Sequence, residues 1–166
     1  MSDAPSDAKP TVIDPLALPE RIGSSYPSPF RDAVLGRAKR ILGDALGLSH
    51  FGVNLVRLPP GLWSSQRHWH THEDEFVYVV EGEVVLVTDA GEQVLRAGMA
   101  AGFPAGRPDG HHFINRSDRD ALFLEVGTRA QEDVTFYSDI DMEWRPKPDS
   151  DGNGDGVYVH KDGTPY

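Results

Sequence analysis

The chain has 166 residues, enough for one domain with its own hydrophobic core. It contains no cysteine, which excludes disulfides, thiol catalysis and metal sites built on cysteine. Its 26 acidic and 16 basic residues give a net charge of −10, which disfavours binding to a nucleic-acid backbone. No apolar run is long enough for a membrane span, and the N-terminus lacks a secretory pattern, so we expect a cytoplasmic protein with neither nucleic acid nor membrane as a partner.

The N-terminal region is predicted to be an extended arm. Residues 1–30 are rich in proline, serine and aspartate, and five prolines between residues 10 and 29 exclude a continuous helix. We expect the tip of this arm to be disordered. Residues 31–46 favour a helix that Gly36 and Gly43 weaken, and a short strand near Arg37–Leu42 is the alternative.

From Phe51 onward the sequence is typical of short strands separated by turns. The segment FGVNLVRL begins the series, and Glu75–Asp89 is predicted to form a hairpin about Gly82. Strands are predicted next in QVLR, MAAGF, HHFIN, ALFLEV and VTFY, at intervals of about ten residues. This rhythm indicates an all-β fold, either an antiparallel sandwich or a barrel.

The domain is predicted to span residues 31–143, and a polar tail follows over 144–166. The tail is rich in proline and glycine and is predicted to be a loop, with an edge strand around Val157–Val159 as the alternative. Within the domain, strand alternation in Glu75–Val80 leaves apolar side chains on both faces. The outer face therefore needs a cover, for which a second sheet, the arm and a partner subunit are the candidates.

The densest group of chemically active residues is His68–Glu75, which holds three histidines at alternate positions. On a strand, His68 and His70 project from the same face about 6–7 Å apart, so their imidazoles can bind one ion. An inward Glu75 would add a carboxylate oxygen, and this ligand set suits Mn, Fe, Co, Ni, Zn or Cu. A lone segment of this kind is more often a polar turn, but a second pair, His111 and His112, follows a Pro/Gly turn and favours a shared metal ion.

These two segments resemble the two motifs of the cupin superfamily. The first motif runs G-x5-H-x-H-x(3,4)-E-x6-G, and the chain matches it with one extra residue after its first glycine, through Gly61, His68, His70, Glu75 and Gly82. The second motif runs G-x5-P-x-G-x2-H-x3-N, and the chain matches it with two extra residues before the histidine, through Gly98, Pro104, Gly106, His111 and Asn115.

The resemblance implies an all-β fold of the cupin type, a double-stranded β-helix or jelly roll, carrying the extended arm. It also implies one divalent transition metal ion (Zn, Ni, Mn or Fe) bound by His68, His70, Glu75 and His111, with His112 as the alternative fourth ligand. Cupins with a single motif pair are commonly dimers. This agrees with the strand that is apolar on both faces, so we expect a homodimer.

Two functions are compatible with such a site. The first is a metal-dependent enzyme on a small polar molecule, for which the resemblance allows dioxygenase, isomerase or epimerase, decarboxylase or lyase chemistry. The second is a non-catalytic module that binds a small-molecule ligand such as a sugar or carboxylate. Glu125 is an acid in an otherwise apolar strand, so it is either a catalytic base near the metal or a residue that faces water.

Overall fold

The structure is a computed structural model that describes residues 9–147 and 155–166. The expected disordered tip of the arm, residues 1–8, and part of the tail, residues 148–154, lie outside the described residues. The first strands are β1 (Arg21–Ile22), β2 (Ala38–Ile41), β3 (Phe51–Leu58), β4 (His68–His70), β5 (Glu75–Glu81), β6 (Glu83–Thr88) and β7 (Gly91–Arg96). The remaining strands are β8 (Ala100–Phe103), β9 (His112–Ile114), β10 (Ala121–Thr128), β11 (Thr135–Tyr137), β12 (Glu143–Pro146) and β13 (Gly156–Val159). One α-helix, α1 (Leu42–Leu46), and two 3₁₀ turns, Pro15–Ala17 and Asp32–Val34, accompany them.

The strands form two facing layers of antiparallel sheet. The first is a six-stranded sheet in the order β1-β2-β3-β10-β5-β8. The second consists of a four-stranded sheet, β13-β12-β11-β4, and a three-stranded sheet, β7-β6-β9. A bridge between His68 and His111 joins these two smaller sheets edge to edge. The architecture confirms the predicted all-β jelly roll, and none of the described helices is long and apolar enough to cross a membrane.

The hydrophobic core lies between the layers and follows the strand alternation. On β5, Val77 and Val79 are buried, whereas Phe76, Tyr78 and Val80 remain 44%, 39% and 46% exposed. Burial of the inward residues supplies most of the stabilisation, at about 25 cal/mol per Å² of apolar surface. The central core residues that pack against the two valines are Val56, Leu58, Val84, Phe113 and Phe123.

The predicted hairpin over Glu75–Asp89 is wrong, because β5 and β6 belong to different sheets. The chain crosses between the layers at Gly82, which has a φ of +75°. A Cβ atom there would lie 3.0 Å from the carbonyl oxygen of Asp120, so glycine suits both the backbone angle and the space. A tight turn and a sheet-to-sheet crossing leave the same local alternation, which is why the pattern did not distinguish them. The next connection does close a hairpin, between β6 and β7, in which Thr88 pairs with Gly91.

The predicted helix over residues 31–46 is also wrong for most of its length. The alternative strand is confirmed as β2, which pairs with β3, and helical structure is confined to the 3₁₀ turn Asp32–Val34 and the five residues of α1. Ala38 is buried where β2 joins the sheet, so tertiary burial decides against the helix. Gly47 ends α1 in the left-handed conformation with a φ of 76°.

Both terminal segments add strands to the domain. In the arm, β1 pairs with β2 at the edge of the six-stranded sheet. At the other end, β12 runs across the predicted boundary at residue 143, and the alternative edge strand is present as β13. The ring of Tyr26 on the arm packs edge-to-face against Tyr137 and Tyr158, with ring centroids 5.6 Å apart in each pair. The two terminal segments therefore meet over one end of the barrel.

Candidate metal centre

Three strands bring four potential metal ligands together inside the barrel. His68 and His70 lie on the same face of β4, and Glu75 begins β5 after a short turn. His111 immediately precedes β9, and its backbone exchanges two hydrogen bonds with that of His68. We call these four residues the ligand cluster; their side chains are between 6% and 17% exposed.

The cluster is organised around one carboxylate oxygen. Glu75 Oε2 lies 2.9 Å from His111 Nε2, 3.5 Å from His70 Nε2 and 3.6 Å from His68 Nε2. The donor atoms of His68, His70 and Glu75 all lie within 4.8 Å of one another, and His111 adds a third imidazole nitrogen next to the same carboxylate oxygen. Three imidazole nitrogens and a carboxylate oxygen are a donor set for a divalent transition metal ion. The residues present therefore fit the metal that the sequence predicts.

The outer nitrogens of two imidazoles are held by hydrogen bonds. His68 Nδ1 donates to the carbonyl oxygen of Gln66 over 2.9 Å, and His70 Nδ1 donates to Asp133 Oδ2 over 2.6 Å. With its Nδ1 proton engaged in this way, each ring has Nε2 directed to the cluster as the nitrogen that can bind a metal ion. Asp133 is itself fixed, because its other oxygen accepts from the backbone amide of His72 over 2.8 Å.

Electrostatics also prepare the cluster for a cation. Burial lowers the pKa of His68 to about 3, although the charge of Glu75 opposes this change, so the ring is neutral at neutral pH. Burial acts in the same direction on His70, but the hydrogen bond to Asp133 and the nearby carboxylates outweigh it and raise its pKa to about 9. Burial raises the pKa of Glu75, yet the hydrogen bond from His111 and the electrostatic interactions with the other two imidazoles bring it well below its usual range. The carboxylate is thus ionised, and a metal ion would displace the proton from His70.

The structure separates the two candidates for the fourth ligand. The ring of His111 stacks on Phe103 with centroids 3.5 Å apart and directs Nε2 to Glu75. His112 is buried elsewhere: its Nδ1 bonds to the carbonyl oxygen of Ser65 over 3.0 Å, and its ring packs on Trp63 at 4.7 Å. The structure therefore brings His111 to the cluster and leaves His112 outside it.

Two cavities adjoin the ligand cluster. The larger one has a volume of about 500 Å³ and extends towards the arm, the beginning of β2 and the tyrosines over the barrel end. The smaller one has a volume of about 320 Å³ and is lined on its apolar side by Trp69, Leu86 and Phe103. Both include His70 and Glu75 in their walls. A metal ion in the cluster would thus have coordination positions that a small molecule can reach.

Glu125 lies in the wall of the larger cavity. It pairs with Val77 across β10 and β5 and shares the inward face of the sheet. Its Oε1 accepts from Lys39 Nζ over 2.9 Å and from Asn54 Nδ2 over 3.2 Å. Burial raises the pKa of this carboxyl group, but the charges of Lys39 and Arg37 lower it more, so the group is held ionised.

Sequence reasoning missed several residues of the site. Asp133 precedes β11, Lys39 lies on β2, and Tyr137 packs beside His68 with ring centroids 5.8 Å apart. No local pattern marks them, because each reaches the site through strand pairing over long sequence separations. Lys39 is a partial exception. If the strand had been preferred to the helix over residues 37–42, the alternation of side chains along β2 would have predicted that Lys39 faces inward.

Comparison with known proteins agrees with this geometry. A family model described as a cupin domain matches residues 54–127. A crystal structure from Silicibacter pomeroyi, described as a sugar phosphate isomerase from the cupin superfamily, is 48% identical, with a TM-score of 0.86 and coverage of 93% of this chain and 96% of that chain. A second, from Acidithiobacillus ferrooxidans and provisionally described as a sugar phosphate isomerase, is 30% identical, with a TM-score of 0.67 and coverage of 75% and 76%.

Two further comparisons bear on the fold and on function. A polyketide cyclase from Streptomyces resistomycificus, 22% identical with a TM-score of 0.58 and coverage of 70% of this chain and 78% of that chain, shares the fold alone. No protein of curated function matches the sequence. The motifs, the fold and the near-complete overlap with the Silicibacter structure lead to one conclusion: this chain belongs to the cupin superfamily.

Proposed function

We propose that the chain is a metal-dependent isomerase that moves the carbonyl group of a small phosphorylated sugar between neighbouring carbons. The observation that carries this proposal is the presence, in the wall of one cavity, of the ligand cluster and of a second carboxylate, Glu125, that is not part of it. Isomerisation of this kind needs a polarised carbonyl and a base that moves one proton. The two relatives described as sugar phosphate isomerases support this class of substrate.

His68, His70, Glu75 and His111 would hold the metal ion. When bound, a divalent ion such as Zn, Ni, Mn or Fe polarises the carbonyl oxygen of the substrate and makes the hydrogen on the adjacent carbon more acidic. The protein contributes the fixed orientation of the imidazoles, through Asp133 and the carbonyl oxygen of Gln66.

Glu125 would act as the base. Its carboxylate takes the proton from the carbon next to the carbonyl, the C–H electron pair becomes the double bond of an enediol, and the carbonyl oxygen gains a proton. Glu125 then returns its proton to the former carbonyl carbon, while the neighbouring hydroxyl loses its proton and becomes the new carbonyl. The reaction is redox-neutral and consumes no co-reactant. Lys39 and Asn54 hold the carboxylate in place and keep it ionised between turnovers.

Tyr137 would serve as a proton donor in the same cavity. Burial and the neighbouring tyrosines raise the pKa of its hydroxyl well above the usual range, so it stays protonated at neutral pH. A neutral hydroxyl beside the cluster can donate a hydrogen bond to a substrate oxygen on which negative charge develops. It would then help the charge move between the two oxygens of the substrate.

The test is deuterium exchange. Metal-loaded protein is incubated in D₂O with a panel of aldose and ketose phosphates, and proton NMR follows both conversion and deuterium at the two carbons. We expect conversion with exchange, reduced roughly 10²- to 10⁴-fold by Glu125→Gln. Glu143→Gln is the matched control, since Glu143 is a buried carboxylate paired with Arg145 at 2.7 Å, away from the cavity. Binding of a sugar phosphate without exchange in the wild type would instead support the non-catalytic binding module.

We also propose that the active form is a cytoplasmic homodimer. Phe76, Tyr78 and Val80 form an exposed apolar row on the outer face of β5. Leu124 and Val126 continue this row on β10, opposite Tyr78 and Phe76. A two-fold interface places such a patch against its own copy, so uncharged residues meet despite the net charge of −10.

A further inference from the structure

We propose that Arg37 is the anion-binding residue of the larger cavity and receives the phosphate group of the substrate. This deepens the proposed function, on which the identity of the ligand rests. The anion site itself is argued from charges and hydrogen bonds around Arg37 and can be tested without turnover.

One of the basic side chains in the cavity wall makes no direct ion pair with a described residue. Three basic side chains reach its wall. Lys39 pairs with Glu125 at 2.9 Å, and Arg129 pairs with Asp44. Arg37 has no ion pair among the described residues, although its guanidinium carries a full charge. The guanidinium lines the cavity, and its charge acts on the carboxylate of Glu125 without a direct ion pair.

The hydrogen bonds of Arg37 are similarly incomplete. Its Nη1 donates to the carbonyl oxygen of Ser64. Its Nε is buried and has no partner within the part of the chain that the structure describes. A buried guanidinium donor without an acceptor is costly, and a phosphate oxygen that reached it would recover that cost. Arginine suits this ligand because its planar group offers several donors at once to a tetrahedral anion.

The walls next to Arg37 are rich in hydroxyl groups. The backbone amide of Gly23 donates to the carbonyl oxygen of Arg37 over 3.1 Å, which fixes the arm beside this residue. The arm then contributes Ser24, Ser25 and Tyr26 to the cavity wall. Ser25 Oγ lies 3.0 Å from the hydroxyl of Tyr158, which comes from the opposite end of the chain. Hydroxyl donors around one cation are a typical setting for a phosphate group.

Arg37 and three residues of the ligand cluster, His68, His70 and Glu75, lie in the wall of the same cavity. Tyr137 stands between them, with its ring 5.8 Å from His68 and 5.6 Å from Tyr26. A ligand with a carbonyl at one end and a phosphate at the other could therefore contact both, and Glu125 lines the same cavity. A neutral sugar would lack the charge that Arg37 selects.

The experiment measures binding of inorganic phosphate by calorimetry, first with metal-loaded protein and again after removal of the metal by a chelator. We expect binding in both states and a loss of affinity of roughly 10- to 100-fold in Arg37→Gln. Arg96→Gln is the charge-matched control, because Arg96 has a side chain that is 66% exposed and pairs with Glu83. We expect its phosphate affinity to equal that of the wild type.

A second, conservative variant distinguishes loss of the anion site from misfolding of the protein. Arg37→Lys keeps the positive charge and can still donate to Ser64, but it loses the planar set of donors, so we expect affinity about tenfold below the wild type. Three results would overturn the proposal: full affinity in both Arg37 variants, an equal loss in Arg96→Gln, or binding that disappears with the metal alone. Arg37-dependent phosphate binding in a protein that isomerises no sugar phosphate would refute the proposed function and leave the anion site intact.

Discussion

Glu75 and Glu125 show how two identical side chains in one cavity acquire different chemistry. Both point inwards from neighbouring strands, since Glu75 pairs with Gly127 and Glu125 pairs with Val77. Burial raises the pKa of each carboxyl group, and in each case nearby groups reverse this effect, so both are ionised. For Glu75 those groups are three imidazoles, and for Glu125 they are the ammonium of Lys39 and the guanidinium of Arg37.

The two carboxylates differ because the residues around them come from different sheets. The imidazoles next to Glu75 come from the opposite layer and can present neutral nitrogen lone pairs, so a cation can bind among them. The neighbours of Glu125 come from its own sheet and include the permanent charge of Lys39. A second cation is repelled there. The comparison thus supports the proposed division of roles, with metal binding at Glu75 and proton transfer at Glu125.

The strongest way to break this assignment is to neutralise each carboxylate in turn. We expect Glu75→Gln to lose nearly all of its metal ion and all activity, because the cluster loses its charge. Glu125→Gln should keep about one metal ion per chain and lose turnover only. Mass spectrometry of metal content on untagged protein distinguishes them, with His70→Ala as the reference for an emptied site. Loss of metal from Glu125→Gln would contradict the assignment.

The ligand cluster was largely accessible from the sequence because its signal is local. The spacing of His68 and His70 and the parity of Glu75 are properties of short segments, and strand alternation converts them into geometry. The partners of Glu125 are different, since Lys39 is 86 residues away in the chain and meets it only when β2, β3 and β10 are side by side. The crossing at Gly82 was misread for a related reason, as alternation does not record which sheet a strand joins.

The second prediction concerns the carboxylate behind His70. In Asp133→Asn the neutral amide no longer stabilises the imidazole orientation by a charged hydrogen bond, so we expect metal affinity to fall roughly 10- to 100-fold. Competition with a fluorescent chelator measures this affinity. Asp141→Asn is the matched control, because Asp141 accepts from His160 at 2.9 Å far from the cluster. Equal affinities for the two variants would show that Asp133 does not position the ligand.

The third prediction sharpens the distinction between adjacent histidines. His112→Ala should retain the metal ion but lose about 1–3 kcal/mol of unfolding free energy, because it removes a buried ring and its bond to Ser65. His111→Ala should lose the metal. Urea denaturation and metal analysis of both variants give the two readouts. If His112→Ala is folded but contains no metal ion, His112 rather than His111 is the ligand and the prediction is wrong.

The two faces of β5 also differ in environment. A substitution on its outer face is expected to have the smallest effect on the metal site. Tyr78 lies on the outer face, 39% exposed, while the inward residues before and after it are buried in the core. Tyr78→Glu places a charge in the proposed interface and should convert a dimer into a monomer in light scattering. Metal content should not change, because the side chain points away from the cluster. If the mass in solution stays that of a dimer, the interface lies on another face. If the wild-type protein is monomeric in solution, the proposed homodimer is wrong.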